Sequence, residues 1–177
     1  MGTFRRVVTG HRADGKSIIA SDSTYESAEI PGMGGIALGT LWGSDATFDY
    51  PDDGRQPPPS TWFPPVGGVR FIEFVLPPGS DPEQGGGSAE GAAAAERLAP
   101  GLLSHFTDDA PGMHRSATCD MLYVLSGRCV LELDDGSATA LGAGDVIVQS
   151  GTMHRWKNPH AEPCRVIGAI VGAHLKK

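Results

Sequence analysis

The sequence predicts an all-β barrel or sandwich, and three observations carry that prediction. Short apolar runs follow one another at close spacing between Met121 and Val171. Glycine (25 residues) and proline (14) punctuate the 177-residue chain too often for long helices. Only one stretch, residues 88–99, is rich in the strong helix former alanine. A chain of this length suits one domain with a sizeable core, and no internal repeat suggests two.

The elements follow in order. Residues 5–10 and 17–20 read as two short strands joined by a turn at Asp14-Gly15. Residues 35–42 read as a third. Residues 50–68 hold Pro51, Pro57 to Pro59, Pro64 and Pro65 and form a loop. Residues 69–76, between Gly68 and Pro77, form a strand. Residues 78–111 are an insertion that opens with Gly85-Gly-Gly87. Ser88 is the N-cap of a short helix that ends at Pro100-Gly101. This insertion is expected to cover the barrel mouth, because it leads directly into His114. Residues 121–125, 128–133, 138–141, 146–149 and 165–171 are strand-like, with a tight turn at Asp134-Asp-Gly136. Residues 1–68 are therefore expected to pack as strands and loop on a barrel of residues 69–177, within one structural domain.

Composition narrows the function. A formal charge of −7 argues against nucleic acid and anionic membrane, which need clustered Lys and Arg. No apolar run reaches the ~20 residues that span a bilayer, and the start of the chain has no apolar signal core. The cysteines, Cys119, Cys129 and Cys164, are odd in number and form no Cys-x-x-Cys pair. A reduced, cytoplasmic protein is expected. Cys129 and Cys164 are read as buried packing residues. Gly32-Met-Gly-Gly lacks the strand and helix of a dinucleotide site, and no phosphate loop or Gly-x-Ser-x-Gly elbow occurs.

Chemistry concentrates at His114, Asp120 and His154. Two imidazoles and a carboxylate are a donor set for a divalent transition metal. Six residues along one straight strand would hold His114 and Asp120 about 20 Å apart. They are expected to meet through a chain reversal at residues 116–118. Asp120 and Cys119 then point to opposite faces. Trp156 shares its strand parity with His154 and faces inward, whereas Tyr123 has the opposite parity to Asp120. His105, Tyr123 and Trp156 are candidates to line the cavity and act on substrate. Arg115 and Arg155 are read as solvated charges on the opposite face from the histidines.

Residues 111–171 resemble the cupin family. Asp120, six residues and Gly127 match the Glu-x6-Gly half of its first motif, with Asp for Glu. His114 falls on that motif's first histidine, and Ser116 replaces the second. Gln149-Ser-Gly-Thr-Met-His154-Arg-Trp-Lys-Asn158 is similar to the second motif, with Gln149 in place of proline. The stretch also resembles a subgroup of small bacterial and fungal cupins, some fungal members of which are labelled oxidoreductases in polyketide clusters. The resemblance implies a double-stranded β-helix, or jelly-roll, barrel. It also implies a divalent metal on His114, Asp120 and His154, with Ser116, His105 or His160 as possible additional ligands. Fe(II) suits the donor set best, and Zn(II), Mn(II) and Ni(II) are compatible. The expected function is oxidation, by dioxygen, of a small phenolic, quinone-like or enolic metabolite. The alternatives are a non-redox lyase or isomerase and a metal-free small-molecule-binding cupin. The expected partners are a small-molecule substrate and a second copy in a homodimer through the N-terminal strands.

Overall fold

In the computed structural model, which describes residues 3–56, 58–84 and 89–176, eleven strands, one α-helix and two single-turn 3-10 helices are seen. A six-stranded antiparallel sheet carries most of the molecule. Its order is β3 (Ala28–Glu29), β4 (Ala37–Ser44), β5 (Val69–Leu76), β11 (Cys164–Gly172), β6 (Thr118–Ser126) and β9 (Val146–Gln149). A three-stranded sheet of β10 (His154–Lys157), β7 (Arg128–Leu133) and β8 (Ala138–Gly142) faces it. β1 (Thr3–His11) and β2 (Ser17–Glu26) form a separate hairpin. No helix of the described residues is long and apolar enough to cross a membrane.

The strands form where apolar residues alternate. On β6 the residues Thr118, Asp120, Leu122 and Val124 point inward and are buried. Ile72, Phe74 and Leu76 of β5, Val166 and Ile170 of β11, Ile147 of β9 and Leu131 of β7 complete the core with Trp62 and Trp156. Cys129 and Cys164 lie fully buried within it as free thiols, as expected. Gly127 turns β6 into β7 with φ +76°, and a Cβ there would stand 2.2 Å from Pro163 O. Only glycine meets both conditions.

The strand at residues 17–20 runs to Glu26, because the polar Ser21-Asp-Ser-Thr24 pairs across to β1. β10 was not expected: its His-Arg-Trp-Lys has no aliphatic alternation, and pairing with Val130–Leu133 of β7 makes it a strand. β4 pairs with β5 in the large sheet, so that sheet crosses the division at residues 68/69. Helix α1 (Ala89–Leu98) matches the alanine-rich stretch; its expected cap, Ser88, and Gly85 to Gly87 lie outside the described residues. The insertion joins the core. Ala99 and Leu102, just past the helix, are buried in the main core, and Trp62 N–H donates to Pro100 O at 2.8 Å.

Arg155 departs from the solvated charge expected of it. It does point away from His154, but it is only 8% exposed. It pairs with Glu132 of β7 at 2.5 Å and with Glu83 of the insertion at 2.7 Å. Lys157 pairs with the same two carboxylates, at 2.9 and 3.0 Å. The insertion folds back over this face, which strand parity alone cannot show.

Hydrogen bonds from Arg155 and Lys157 hold the Glu132 carboxyl below its ordinary pKa. Its stabilising contribution is therefore complete above the unfolded value of about 4.3 and is lost as pH falls through the lower folded value. Glu132→Gln should cost about 1 kcal/mol at pH 7. Urea unfolding should show that gap closing below about pH 4.

Candidate metal centre

The approach to the site is set by a turn. Ala110-Pro-Gly-Met113 closes with Met113 N–H donating to Ala110 O at 2.9 Å, and Gly112 sits at φ +79°. Proline second and glycine third is the signature of a type II turn. A Cβ on Gly112 would lie 2.4 Å from the Pro82 side chain, so the insertion packs directly on it. The chain then enters an isolated antiparallel bridge, with His114 between Phe106 and His154.

That bridge brings the two histidines together. His114 and His154 exchange backbone hydrogen bonds of 2.9 and 3.0 Å, and their ring centroids are 4.3 Å apart. Each Nδ1 faces a backbone carbonyl, Gly112 O at 3.0 Å for His114 and Thr152 O at 2.9 Å for His154. A carbonyl only accepts, so Nδ1 of His114 carries the proton and its Nε2 keeps its lone pair. That is the tautomer of a metal-ligating histidine, whose other ring nitrogen is held by an outer partner. Nδ1 of His154 lies between an acceptor, Thr152 O, and a donor, the Gln149 amide nitrogen at 3.1 Å. Among the described residues no hydrogen bond occupies either Nε2.

Burial controls the charges. Desolvation lowers the His114 pKa to about 3, with the nearby His154 and His105 adding to it. Desolvation also lowers His154. Both rings are neutral at pH 7, the state a metal requires. Asp120 is buried on β6 opposite Gln149 of β9, and burial raises its carboxyl to about 6 despite a hydrogen bond from Thr118. Its Oδ1 is buried without a hydrogen-bond partner. Ser116 Oγ is engaged with Thr118 Oγ1 at 2.7 Å.

The donor chemistry fits a divalent cation: two free Nε2 atoms and an orphaned carboxylate oxygen. The spacing is less complete. Among the described residues no three His, Cys, Asp or Glu side chains stand close enough together to hold an ion. The expected reversal at residues 116–118 is absent; the chain only bends at Ala117. His114 continues the small sheet through His154, whereas Asp120 pairs with Gln149 and Ile170 in the large one.

The other candidates divide. Trp156 is buried, its ring 6.1 Å from that of His154 and 5.2 Å from Phe74. His105 sits at the rim, against Phe63 at 4.6 Å, with Nδ1 2.9 Å from Arg115 O. Tyr123 does not line the interior; it is 43% exposed on the outer face, opposite Val146 and Ile167. His160 does not join the pair either. Its backbone binds Gly79 and Asn158, beyond the far end of β10 from His154. Arg115 is exposed and Cys119 faces away from Asp120, as expected.

Two residues were missed. Phe106 stacks on His114 at 4.8 Å and 25°, and no sequence signal marked it. Gln149 donates to Thr152 O at 3.1 Å and to Thr152 Oγ1, bracing the turn whose carbonyl holds His154. Its replacement of a motif proline was the available signal. Cavities of about 430 and 470 Å³ lie elsewhere, beside β4 and under β1.

With this geometry in place, comparison with known proteins gives the following. A family model described as a cupin domain matches residues 107–170. Oryzines biosynthesis cluster protein J of Aspergillus oryzae is 38% identical over 63 residues, 33% of this chain and 35% of its own length. Phomopsin biosynthesis cluster protein C' of Diaporthe leptostromiformis is 42% identical over 65 residues, 34% of each chain. A cupin-domain-containing oxidoreductase of Neurospora crassa is 30% identical over 115 residues, 60% of this chain and 59% of its own. The match thus spans about a third of the first two relatives and under two thirds of the third. The solved structure of a Cupin 2 conserved barrel domain protein from Salinispora arenicola aligns with a TM-score of 0.44 at 16% identity, over 81% and 82% of the two chains.

Burial of Asp120 yields a test without metal. The native state holds this proton to about pH 6, whereas the unfolded chain releases it near the ordinary value of 3.8. The stability carried by the proton is complete below pH 4 and lost as pH rises through 6. In chelator-treated protein, Asp120→Asn should therefore stabilise by about 2 to 3 kcal/mol at pH 8 and by nothing near pH 4. Urea titrations at the two pH values measure it.

Proposed function

The chain is a member of the cupin superfamily, and from that premise we propose that it is a metal-dependent oxidoreductase acting on a small phenolic, quinone-like or enolic metabolite. One observation carries the reading: the neutral pair of half-buried His114 and buried His154, with no hydrogen bond to either Nε2 among the described residues. The Neurospora relative's description as an oxidoreductase supports the reaction class. The two relatives from biosynthesis clusters support a secondary metabolite as substrate.

His114 and His154 would hold the ion through Nε2, and Asp120 would supply the anionic charge. A redox-active ion such as Fe(II), Mn(II) or Ni(II) would bring substrate and dioxygen together; Zn(II) would act only as a Lewis acid. The protein's own groups do the rest. The carbonyl of Gly112 fixes the His114 ring in the ligand tautomer, and Thr152 O and Gln149 hold the His154 ring through its Nδ1. Phe106 stacks on His114 and Trp156 stands edge-on to His154, giving the pair aromatic walls. His105 at the rim is the candidate to exchange a proton with it. A second reading, a metal-free binding cupin, draws support from the open spacing of Asp120 and from Ser116, whose hydroxyl is engaged with Thr118.

Elemental analysis of protein purified without chelators should find about one divalent ion per chain. His154→Ala should retain less than a tenth of it yet still unfold cooperatively, because the core of β5, β6 and β11 does not involve that ring. Oxygen-electrode traces with a panel of catechols, hydroquinones and β-diketones should show uptake by the wild type alone. Full metal content in both His154→Ala and His114→Ala would refute the site. Metal without oxygen uptake would favour the lyase or isomerase alternative.

A further inference from the structure

The two imidazoles differ at Nδ1. Among the described residues the His114 nitrogen has one hydrogen-bond partner, Gly112 O at 3.0 Å. The His154 nitrogen has two polar neighbours, Thr152 O at 2.9 Å and the Gln149 amide nitrogen at 3.1 Å. A neutral imidazole is protonated on one nitrogen only. Nδ1 of His154 therefore donates to the carbonyl or accepts from the amide, and cannot do both.

Thr152 fixes which way the amide points. The amide nitrogen donates to Thr152 O at 3.1 Å and to Thr152 Oγ1. Turned over, Gln149 would set Oε1 against Thr152 O, two acceptors in contact. The nitrogen carries two protons and meets three acceptors: Thr152 O, Thr152 Oγ1 and the Nδ1 lone pair. Gln149 and His154 are each 4% exposed, so bulk water does not dilute this competition. Neutral hydrogen bonds of near-equal length compete here, and neither tautomer is favoured by a large factor. The side chain stands where the second cupin motif carries proline. Proline has no side-chain donor, so the second partner of His154 comes with the replacement.

We propose that Gln149 is a positioning residue for His154: its amide divides the ring between two tautomers and so sets how readily Nε2 offers a lone pair to an ion. In the first tautomer Nδ1–H donates to Thr152 O, and Nε2 turns its lone pair to the interior. In the second, Gln149 donates to Nδ1, and Nε2 carries the proton and cannot ligate. The apparent affinity for an ion is then the intrinsic affinity reduced by the fraction of ring in the first form. His114, held by Gly112 O, undergoes no such reduction. This consequence for the ion rests on the metal site proposed above; the division of tautomers does not.

Nitrogen-15 spectra of the histidine rings test it, recorded on the full chain after chelator treatment. At pH 8 both rings are neutral, because burial lowers both pKa values. His114 should show the pure Nδ1–H pattern. The two His154 nitrogens should be drawn toward each other, with about half of the ring in each form. Gln149→Met keeps length and volume but removes the donor, and should move His154 to the His114 pattern. Thr152→Val, at an exposed position, removes the Oγ1 acceptor and returns an amide proton to Nδ1. It should move His154 the opposite way. Zn(II) affinity, read by competition with a chromophoric chelator, should rise about twofold in Gln149→Met and fall in Thr152→Val. A residue that only braces the turn predicts a fall in Gln149→Met instead. If the methionine variant fails to fold, Gln149→Glu keeps the reach, replaces the donor by an acceptor and should likewise give the Nδ1–H pattern. A wild-type His154 with the same pattern as His114, or one that the folded Gln149 variants leave unchanged, overturns the proposal. The expected tautomer shifts with no Zn(II) bound by any variant would support it and overturn the metal site alone.

Discussion

The reciprocal backbone bridge between His114 and His154 is the constraint on which the site depends. A pair that exchanges both N–H···O bonds holds its Cα atoms about 5.5 Å apart with side chains on one face. The 4.3 Å ring separation follows from that pairing. The bridge is isolated, with no longer ladder to enforce its register. A slip of one residue would turn the His114 ring to the outside. Register is instead fixed from both ends. Upstream, the turn at Pro111-Gly112 and the bonds Thr107 N–H to Met113 O and Arg115 N–H to His105 O fix the entry of the strand. Downstream, Gln149 secures the turn at Thr152.

Around this bridge the barrel interior is divided by polarity. Thr118 and Asp120 occupy one end of the inward row of β6, with buried Ser116 just before the strand, and Leu122 and Val124 occupy the other. Gln149 and Ile147 of β9 repeat the division opposite Asp120 and Leu122. The polar end is expensive without a cation. Both imidazoles are driven neutral and Asp120 holds a carboxylate oxygen with no partner. A buried unsatisfied group costs about 1 to 3 kcal/mol. The apolar end, with Trp62, Phe74 and Val166, offsets this independently, since burying one large apolar side chain contributes about 1.5 to 3 kcal/mol. Separation lets the polar end serve chemistry while the apolar end holds the fold.

Much of the fold was legible where a local pattern decides the outcome. Val69–Leu76, Arg128–Leu133 and Val146–Gln149 form strands at the expected residues because aliphatic runs end there at glycine, proline or acidic turns. β10 was hidden because its pairing with β7, not its own composition, makes it a strand. At the site, two-residue parity gave the shared face of His154 and Trp156 and the opposite faces of Asp120 and Tyr123, although Tyr123 was also a candidate for the cavity. The placement of His114 and Asp120 in different sheets did not, because a bend at one residue decides it. Phe106 was invisible for a related reason. It meets His114 only after the insertion returns, and no short-range pattern records that return.

β10 explains why insertion and site are coupled. One face of this four-residue strand carries His154 and Trp156 into the interior. The other carries Arg155 and Lys157, which grip Glu83 of the insertion and Glu132 of β7. The same insertion returns through Ala99 and Leu102 in the core and ends by stacking Phe106 on His114. A strand this short cannot move one face without the other, because successive side chains are fixed to opposite sides of one backbone. Displacing Glu83 therefore shifts the strand that carries His154, and displacing Phe106 frees the ring that faces it. The insertion acts as part of the wall of the site, and its charges set the position of the imidazole pair from outside the barrel.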